Sequence, residues 1–546
     1  MIKHLRNVTL LLALALSFGA CNKDRLQVDP VNQVLSSTYY QTELHVSEAL
    51  IGAYDPVGWT MAYGQWISPV MFGEIRSDNA NAGGDPSNND QPGWQEFDDF
   101  TETNTNTVLH PLYRRSYIGI NRVNSLLSNT DTSDPALSSD AVQLYLAEAK
   151  FLRAFYHFEV FRHFGPIPVI TEELAPDEVS LQRNTLSEVM QQIIDDCEDA
   201  AALLPIIPAS GQEGRATKGA ALALMGKAYL YWADLSGDDA TKFDAAASAL
   251  QEVVDLGAYE LVDDLEVLYT QSTRNTTEAV FEIQHNPLYT SDWGWFEGID
   301  GNGMIQLCGI RGLCADHPTY EAGWGFLAVT EGLYNHFLDD DHFRRDAAIA
   351  SEATLEQDMI DAGLSCDPII DATQNNPIDY TGYFQVKYQN FKAFAGTNIN
   401  GGNEHLTKAQ NTHYIRYADV LLMLAEALHR GSGDDGSAMA HIDAVRERAA
   451  GPGDNAGTFR TASQLMADEG MSLLDVIWYE RRAEFACEGD RWTDLVRSGR
   501  AESSLFVGDG DKEGNFDDES LWLPIALEET VIANGMTTYP DASLFD

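Results

Sequence analysis

Between Lys218 and Asp234 small residues recur at helical intervals. Gly219, Ala220, Ala221, Ala223, Gly226 and Ala228 share the stretch with Leu222, Tyr229 and Tyr231. Small residues interleaved with large ones let a second helix approach closely and interlock. A helix of this kind needs partners, so the chain is committed to a helical assembly. The same periodicity marks residues 41–54, 112–128, Ala141–Phe164, Thr185–Leu204, Phe243–Leu256, Tyr414–Arg430, Ala438–Ala449 and Leu473–Arg497. Thr185 and Glu188 have the spacing of a capping box, which sets the start of one of these helices.

Interleaving of this sort suits tetratricopeptide-type helix pairs. The expected fold is therefore mainly α: a tetratricopeptide-like helical scaffold with an inserted loop-rich, aromatic-rich ligand-binding lobe. The scaffold is expected over about 41–270 and 405–500, and the lobe over about 275–400, where periodicity fades after a short strand-like run at Ala279–Gln284. Residues 76–106, rich in Asn, Asp, Gly and Thr, read as loop, with Trp94, Phe97 and Phe100 embedded in it.

The N-terminus is a secretory signal. Lys3 and Arg6 precede the uncharged run Val8–Phe18, and the small pair Gly19 and Ala20 stands before Cys21. The run is too short to span a bilayer, which takes roughly 20 apolar residues. A cysteine in that place is what a bacterial lipoprotein needs, so residues 1–20 read as signal peptide and 21–40 as a lipidated tether on Cys21. The alternative is an ordinary signal with Cys21 incidental. The net charge of −50 argues against nucleic acid, whose phosphates require Lys and Arg, and against adsorption to anionic lipid. Of the 34 basic residues 10 are lysine, and such an acid-rich surface stays soluble in salty water, a hint of a saline habitat. Beyond Cys21 the chain has Cys197, Cys308, Cys314, Cys366 and Cys487, with no metal-type Cys/His spacing. Cys308 and Cys314 close a loop short enough for a disulfide, whereas Cys197 and Cys487 read as buried thiols.

A family resemblance rests on ordered blocks. In FLRAFYHFEVFRHFGPIPVI (151–170), Arg153, Ala154, Phe158, Arg162, Phe164, Gly165 and Pro168 fit a family helix pattern. GRATKGAALALMGKAYLYWA (214–233), HYIRYADVLLMLAEAL (413–428), VRERA (445–449), ERRAEFACEGDRWTDLVRSGR (480–500) and LWLPIALEE (521–529) follow in the family's order. Asp419 stands for a usual Glu, Ala526 for a common Pro, and Asn534-Gly535 for a late N-P. Through these blocks the chain resembles the SusD/RagB family of outer-membrane nutrient-binding lipoproteins. The resemblance implies a tetratricopeptide-like scaffold lipid-anchored on the exterior face of the outer membrane. It also implies a SusC-like TonB-dependent transporter as partner and an oligosaccharide as the usual cargo.

The residues themselves give no positive reason for catalysis. Glu480, Glu484 and Glu488 share a helix face, but Arg481, Arg482, Arg491 and Arg497 are interleaved with them. Arginine lowers the pKa that a glycosidase acid needs raised, so this block reads as a structural ion-pair network. Arg153, Arg162, Arg416 and Glu426 read likewise as interhelical pairs. Sugars ask instead for aromatic platforms beside polar side chains. One candidate region holds Trp59, Tyr63, Trp66, Arg76, Asp78, Asn79, Asn81 and Trp94; a second holds Asn286, Tyr289, Asp292, Trp293 and Trp295; Trp324 follows a Gly-flanked loop. Trp66, Asp78, Asn81, Trp94, Tyr289, Asp292, Trp293, Trp295 and Trp324 are the expected glycan contacts, with Trp293 and Trp295 foremost. No cofactor is expected. GDGDKEGNFDDES (508–520) sets Asp509, Asp511, Glu513 and Asp517 around Gly514 at EF-hand-like positions, but Ser520 stands where a bidentate Glu belongs. A solvated acidic loop is the expectation there, with structural calcium as the alternative. The competing functions are a peptide-binding lipoprotein of the same type and a surface glycoside hydrolase.

Overall fold

The computed structural model describes residues 39–85, 87, 89–174, 180–270, 272–286, 298–299, 301–375, 379–394, 403–451, 459–505 and 510–545. Cys21, Tyr289, Asp292, Trp293, Trp295 and Asp509 lie outside the described residues.

Helices α1 (Glu43–Tyr54), α2 (Leu109–Asn129), α3 (Asp140–Phe164), α4 (Leu186–Ala201), α5 (Lys218–Leu235), α6 (Ala240–Asp255), α7 (Tyr417–Arg430), α8 (Asp435–Ala449) and α9 (Leu473–Glu484) build the scaffold. From α2 onward each packs on the next through α8, and α9 lies across α7 and α8. Helix α6 packs on α7 although the whole lobe separates them in sequence. This is the tetratricopeptide-like arrangement that the small-residue pattern requires. A Cβ on Gly226 of α5 would lie 2.5 Å from Leu250 of α6, so only glycine permits that approach. The ends follow local chemistry. Ser139, Thr185, Thr217 and Asp239 each accept a backbone N–H in the first turn of their helix, and Thr185 with Glu188 completes the capping box. Residues 151–164 of α3 are all buried. The charged ones among them are paired: Arg153 with Asp196 at 2.7 Å, and Glu159 with Arg162 at 2.7 Å and with Arg115 at 3.0 Å.

The lobe carries sheets. Strands β1 (Met61–Ala62) and β2 (Gln65–Trp66) form a hairpin. β3 (Ala80–Gly83), β5 (Phe326–Val329), β7 (Tyr383–Gln385) and β6 (Ile349–Ser351) form an antiparallel sheet in that order, and β4 (Ala279–Ile283) pairs with β8 (Thr412–Arg416). Residues 76–106 are therefore not simply loop: they contain β3 and the helix Pro92–Asp98. The partner of β3 comes from far along the chain, and a seven-residue helix is too short to show periodicity. A small satellite core of Ile310, Leu313, Leu355, Met359, Ile369 and Ile370 is stapled by a disulfide between Cys314 and Cys366. That pairing replaces the expected Cys308–Cys314 loop; Cys308 is a buried thiol, as are Cys197 and Cys487.

The stretch read as one helix from Leu473 to Arg497 is broken. Cys487 (φ 65°) and Gly489 (φ 98°) turn left-handed between α9 and the helix Arg491–Arg497. The helix Pro69–Ile75 crosses at this break: a Cβ on Gly73 would sit 1.7 Å from the Gly489 carbonyl oxygen. Scaffold and lobe are joined here by buried charges. Arg416 binds Glu484 at 2.9 Å and Glu488 at 2.8 Å; Arg344 binds Glu480 at 2.8 Å; Arg448 binds Glu278 at 2.8 Å; Lys387 binds Glu488 at 2.6 Å.

Candidate functional site

Three segments distant in sequence meet at one surface. The β1–β2 hairpin turns through Tyr63 (φ 50°) and Gly64 (φ 77°), both left-handed, as a two-residue turn matched to strand twist requires. Tyr63 is a costly residue for that conformation, and such strain is found where structure over-determines it. Its half-buried ring packs near His110 at 6.1 Å, and the Arg114 guanidinium lies 5.6 Å over it. Trp66, at 3% exposure, meets Trp324 edge-on at 5.8 Å. Trp324 is half-buried, and His405 is a further neighbour at 5.8 Å.

The Trp324 loop is held by its backbone. Gly323 N–H donates to Ile310, Trp324 N–H to Gln306 and Gly325 N–H to Gly309, at 2.9–3.0 Å. A Cβ on Gly323 would stand 2.3 Å from the Gly309 Cα, so glycine is required for that crossing. Arg311 adds a clamp: its Nη1 donates to the Trp324 carbonyl at 3.2 Å and to Asp90 at 2.9 Å, while Nη2 lies 3.7 Å from Asp85. The third segment is the limb after residue 297. Positions for Cβ atoms on Gly298 and Gly303 fall 2.1 Å from Trp59 and 2.3 Å from Trp66, so both glycines press against the indoles. Lys408, 7% exposed, has its pKa lowered by burial against the opposing pull of Glu321 and Glu404.

The structure thus brings Trp66 against Trp324, but Trp66 is a core residue that supports the Trp324 indole from beneath rather than a platform of its own, and Tyr63 lies on the same hairpin as Trp66. It places other sequence candidates elsewhere. Trp94 is fully buried, packed on Phe72 at 4.5 Å and Phe97 at 5.9 Å, and is a core residue rather than a platform. Asp78 is consumed by Arg491 at 2.7 Å and Arg482 at 3.0 Å; burial alone would raise its pKa, but these two guanidinium groups hold it well below the carboxylate range. Arg76 is buried against Glu102 at 2.5 Å, and Asn79 donates to Glu74 at 2.8 Å. Asn81 is half-buried in β3, opposite Ala328. Asp511 and Glu513 fall in the helix Gly510–Asn515, and Asp517 accepts from Ser520 as an N-cap.

Glu484, central among the paired glutamates, is held ionised by its arginines. Burial would raise the Glu484 pKa, yet Arg448, Arg416 and Arg344 bring it down to about 2. Burial raises Glu74 and Asp98 to about 7, but both are sealed in the interior, the latter 2.8 Å from the Lys512 ammonium. A depression of about 510 Å³ lies between residues 211–215 and β4 and is lined by Tyr54, Arg215, Phe281, Gln284 and Asn286.

Sequence reasoning missed Arg311, His405 and Asp90. Arg311 stands between Gly309 and Gly312, a spacing that marks close backbone packing and could have drawn notice.

Two family models match the chain: one described as SusD family over residues 277–520, and one described as starch-binding, associating with the outer membrane, over residues 26–230. A solved structure titled laminarin-binding SusD-like protein is 30% identical and superposes with a TM-score of 0.74, covering 91% of this chain and 99% of that one. Surface glycan-binding protein A from Bacteroides thetaiotaomicron, solved with laminarihexaose, shares the fold at a TM-score of 0.75 and 24% identity, covering 90% of this chain and 98% of that one. SusD-like protein P2 of Formosa agariphila is 26% identical over 532 residues, 95% of this chain and 96% of that protein.

Proposed function

This chain belongs to the SusD family, and from that premise we propose that it binds an oligosaccharide at the surface around Trp324 and His405, with Tyr63 on the adjoining hairpin. The observation that carries the reading is the half-buried Trp324 indole, held by a three-bond backbone ladder and the Arg311 clamp at the meeting point of three segments. Around it stand side chains that suit sugar hydroxyls, the Asp90 and Asp85 carboxylates held by Arg311 among them, as acceptors. The laminarin-binding relative, which this chain matches along nearly its whole length, supports glycan as the ligand class. The same reading makes the protein a lipoprotein on the outer face of the outer membrane, anchored through Cys21, that hands its cargo to a SusC-like TonB-dependent transporter. It acts as a binding protein and not as an enzyme.

Calorimetric titration of the body with laminarihexaose and other oligosaccharides tests the ligand. Binding that Trp324→Ala weakens, with melting unchanged, is the expected result; equal binding by both forms would place the glycan elsewhere. Detergent partitioning of wild type and Cys21→Ala tests the anchor, and equal partitioning would remove it. Co-purification from native membranes tests the partner: recovery of the protein alone in mild detergent would count against the transporter.

A further inference from the structure

The aromatic surface around Trp324 carries a fixed inventory of charge, and that inventory discriminates among glycans. We propose that the ligand of this surface is a neutral glycan, and that uronic-acid and sulfated glycans are rejected by the carboxylates around Trp324. The proposal rests on the glycan reading of the same surface.

An anionic sugar is recognised by a guanidinium or ammonium whose donors are not already committed to protein carboxylates. Among the described residues, two cations beside Trp324, Arg311 and Lys408, are committed. Arg311 lies between Asp90 at 2.9 Å and Asp85 at 3.7 Å and spends a further hydrogen bond on the Trp324 carbonyl. Lys408 is buried, and the nearby negative charges of Glu321 and Glu404, the latter adjoining His405, act on it. Arg274 turns inward, donating to Asn411 at 3.0 Å and to the His285 carbonyl at 2.7 Å. Four acids, Asp85, Asp90, Glu321 and Glu404, thus stand against Arg311 and Lys408. The background of −50 over the whole chain adds a repulsive field that reaches a Debye length into solvent. Arg114, exposed and stacked over Tyr63, and Lys392, whose ammonium donates to the Ala315 carbonyl at 2.6 Å, are the groups an anionic ligand would have to use.

Titration of the mature protein with laminarihexaose, a uronic-acid hexasaccharide and a sulfated oligosaccharide of similar length, at low and moderate salt, tests this. The neutral hexasaccharide is expected to bind with little salt dependence. The two anionic ligands are expected to bind at least about tenfold more weakly at low salt, the gap narrowing as salt screens the repulsion. Replacing Asp85→Asn together with Asp90→Asn releases Arg311 and should raise uronate affinity severalfold; adding Arg311→Gln should cancel that gain. Should those variants fail to fold, the sign of the salt effect in the wild type still decides. Wild-type binding of either anionic ligand as tight as that of laminarihexaose, weakened by salt and lost in Arg114→Gln, would overturn the proposal. Absence of binding by all three ligands would instead overturn the glycan reading, and this inference with it.

Discussion

Two tryptophans show how much one residue's setting decides. Trp94 and Trp324 both lie in stretches rich in small and polar residues, and from sequence both are candidate sugar platforms. Trp94 turns out to be core because the short helix Pro92–Asp98 points it at Phe72; Trp324 stays at the surface because its backbone is pinned beside residues 306–311. Neither outcome is set within the residue's own stretch: Trp94 depends on Phe72, and Trp324 on residues 306–311 and on the distant Trp66. Trp324→Ala is expected to lower oligosaccharide affinity tenfold or more, since a stacked indole contributes roughly 1–3 kcal/mol of buried apolar area, with the melting temperature nearly unchanged. Trp94→Ala is expected to do the reverse, costing about 3–5 kcal/mol of stability through the cavity it leaves. Calorimetry and thermal melts on the two variants separate the roles. Arg311 was hidden in sequence because an arginine between glycines looks like a loop cation; its meaning comes from Asp90 and the Trp324 carbonyl.

At the scale of the element, α9 and the break after it carry the join between scaffold and lobe. The glutamates at four-residue spacing and the arginines among them were legible as an ion-pair network rather than a catalytic pair. The partners Glu278, Arg344, Lys387 and Arg448 were not, because each comes from a different element. Nor was the break, which exists to let Gly73 cross Gly489. Glu484→Gln leaves buried arginines short of an acceptor and is expected to cost about 3–5 kcal/mol, as removal of one partner of a buried pair does. Glu484 also has a pH signature. Its folded pKa of about 2 lies below the ordinary carboxylate value of about 4.3. Its contribution to stability is therefore present above the ordinary value and is lost as pH falls from there toward 2. Melting temperatures between neutral pH and pH 2 should show a steeper acid decline for wild type than for Glu484→Gln; parallel curves would contradict the assignment.

For the whole molecule, the helical scaffold was the most legible part, because small-residue spacing and capping pairs act within one helix or between neighbours. The lobe was least legible: its sheet joins β3 to strands hundreds of residues away, and its disulfide links Cys314 to Cys366 across 52 residues. Closing a loop of that length stabilises a fold by about 4 kcal/mol in the chain-entropy picture. Cys366→Ser is thus expected to lower the unfolding temperature, and calorimetry resolving the satellite core from the scaffold would locate the loss. Surface chemistry belongs to this scale as well, since the candidate site is assembled from the hairpin, the Trp324 loop and the limb after residue 297. The claim that these segments form an oligosaccharide surface is tested most directly by a crystal structure of the mature protein with laminarihexaose. The expected result is a sugar ring within ~4–4.5 Å of the Trp324 indole, with hydroxyls on the Arg311–Asp90 pair; a sugar seated instead in the depression lined by Tyr54, Arg215 and Phe281, with Trp324 bare, would contradict the account.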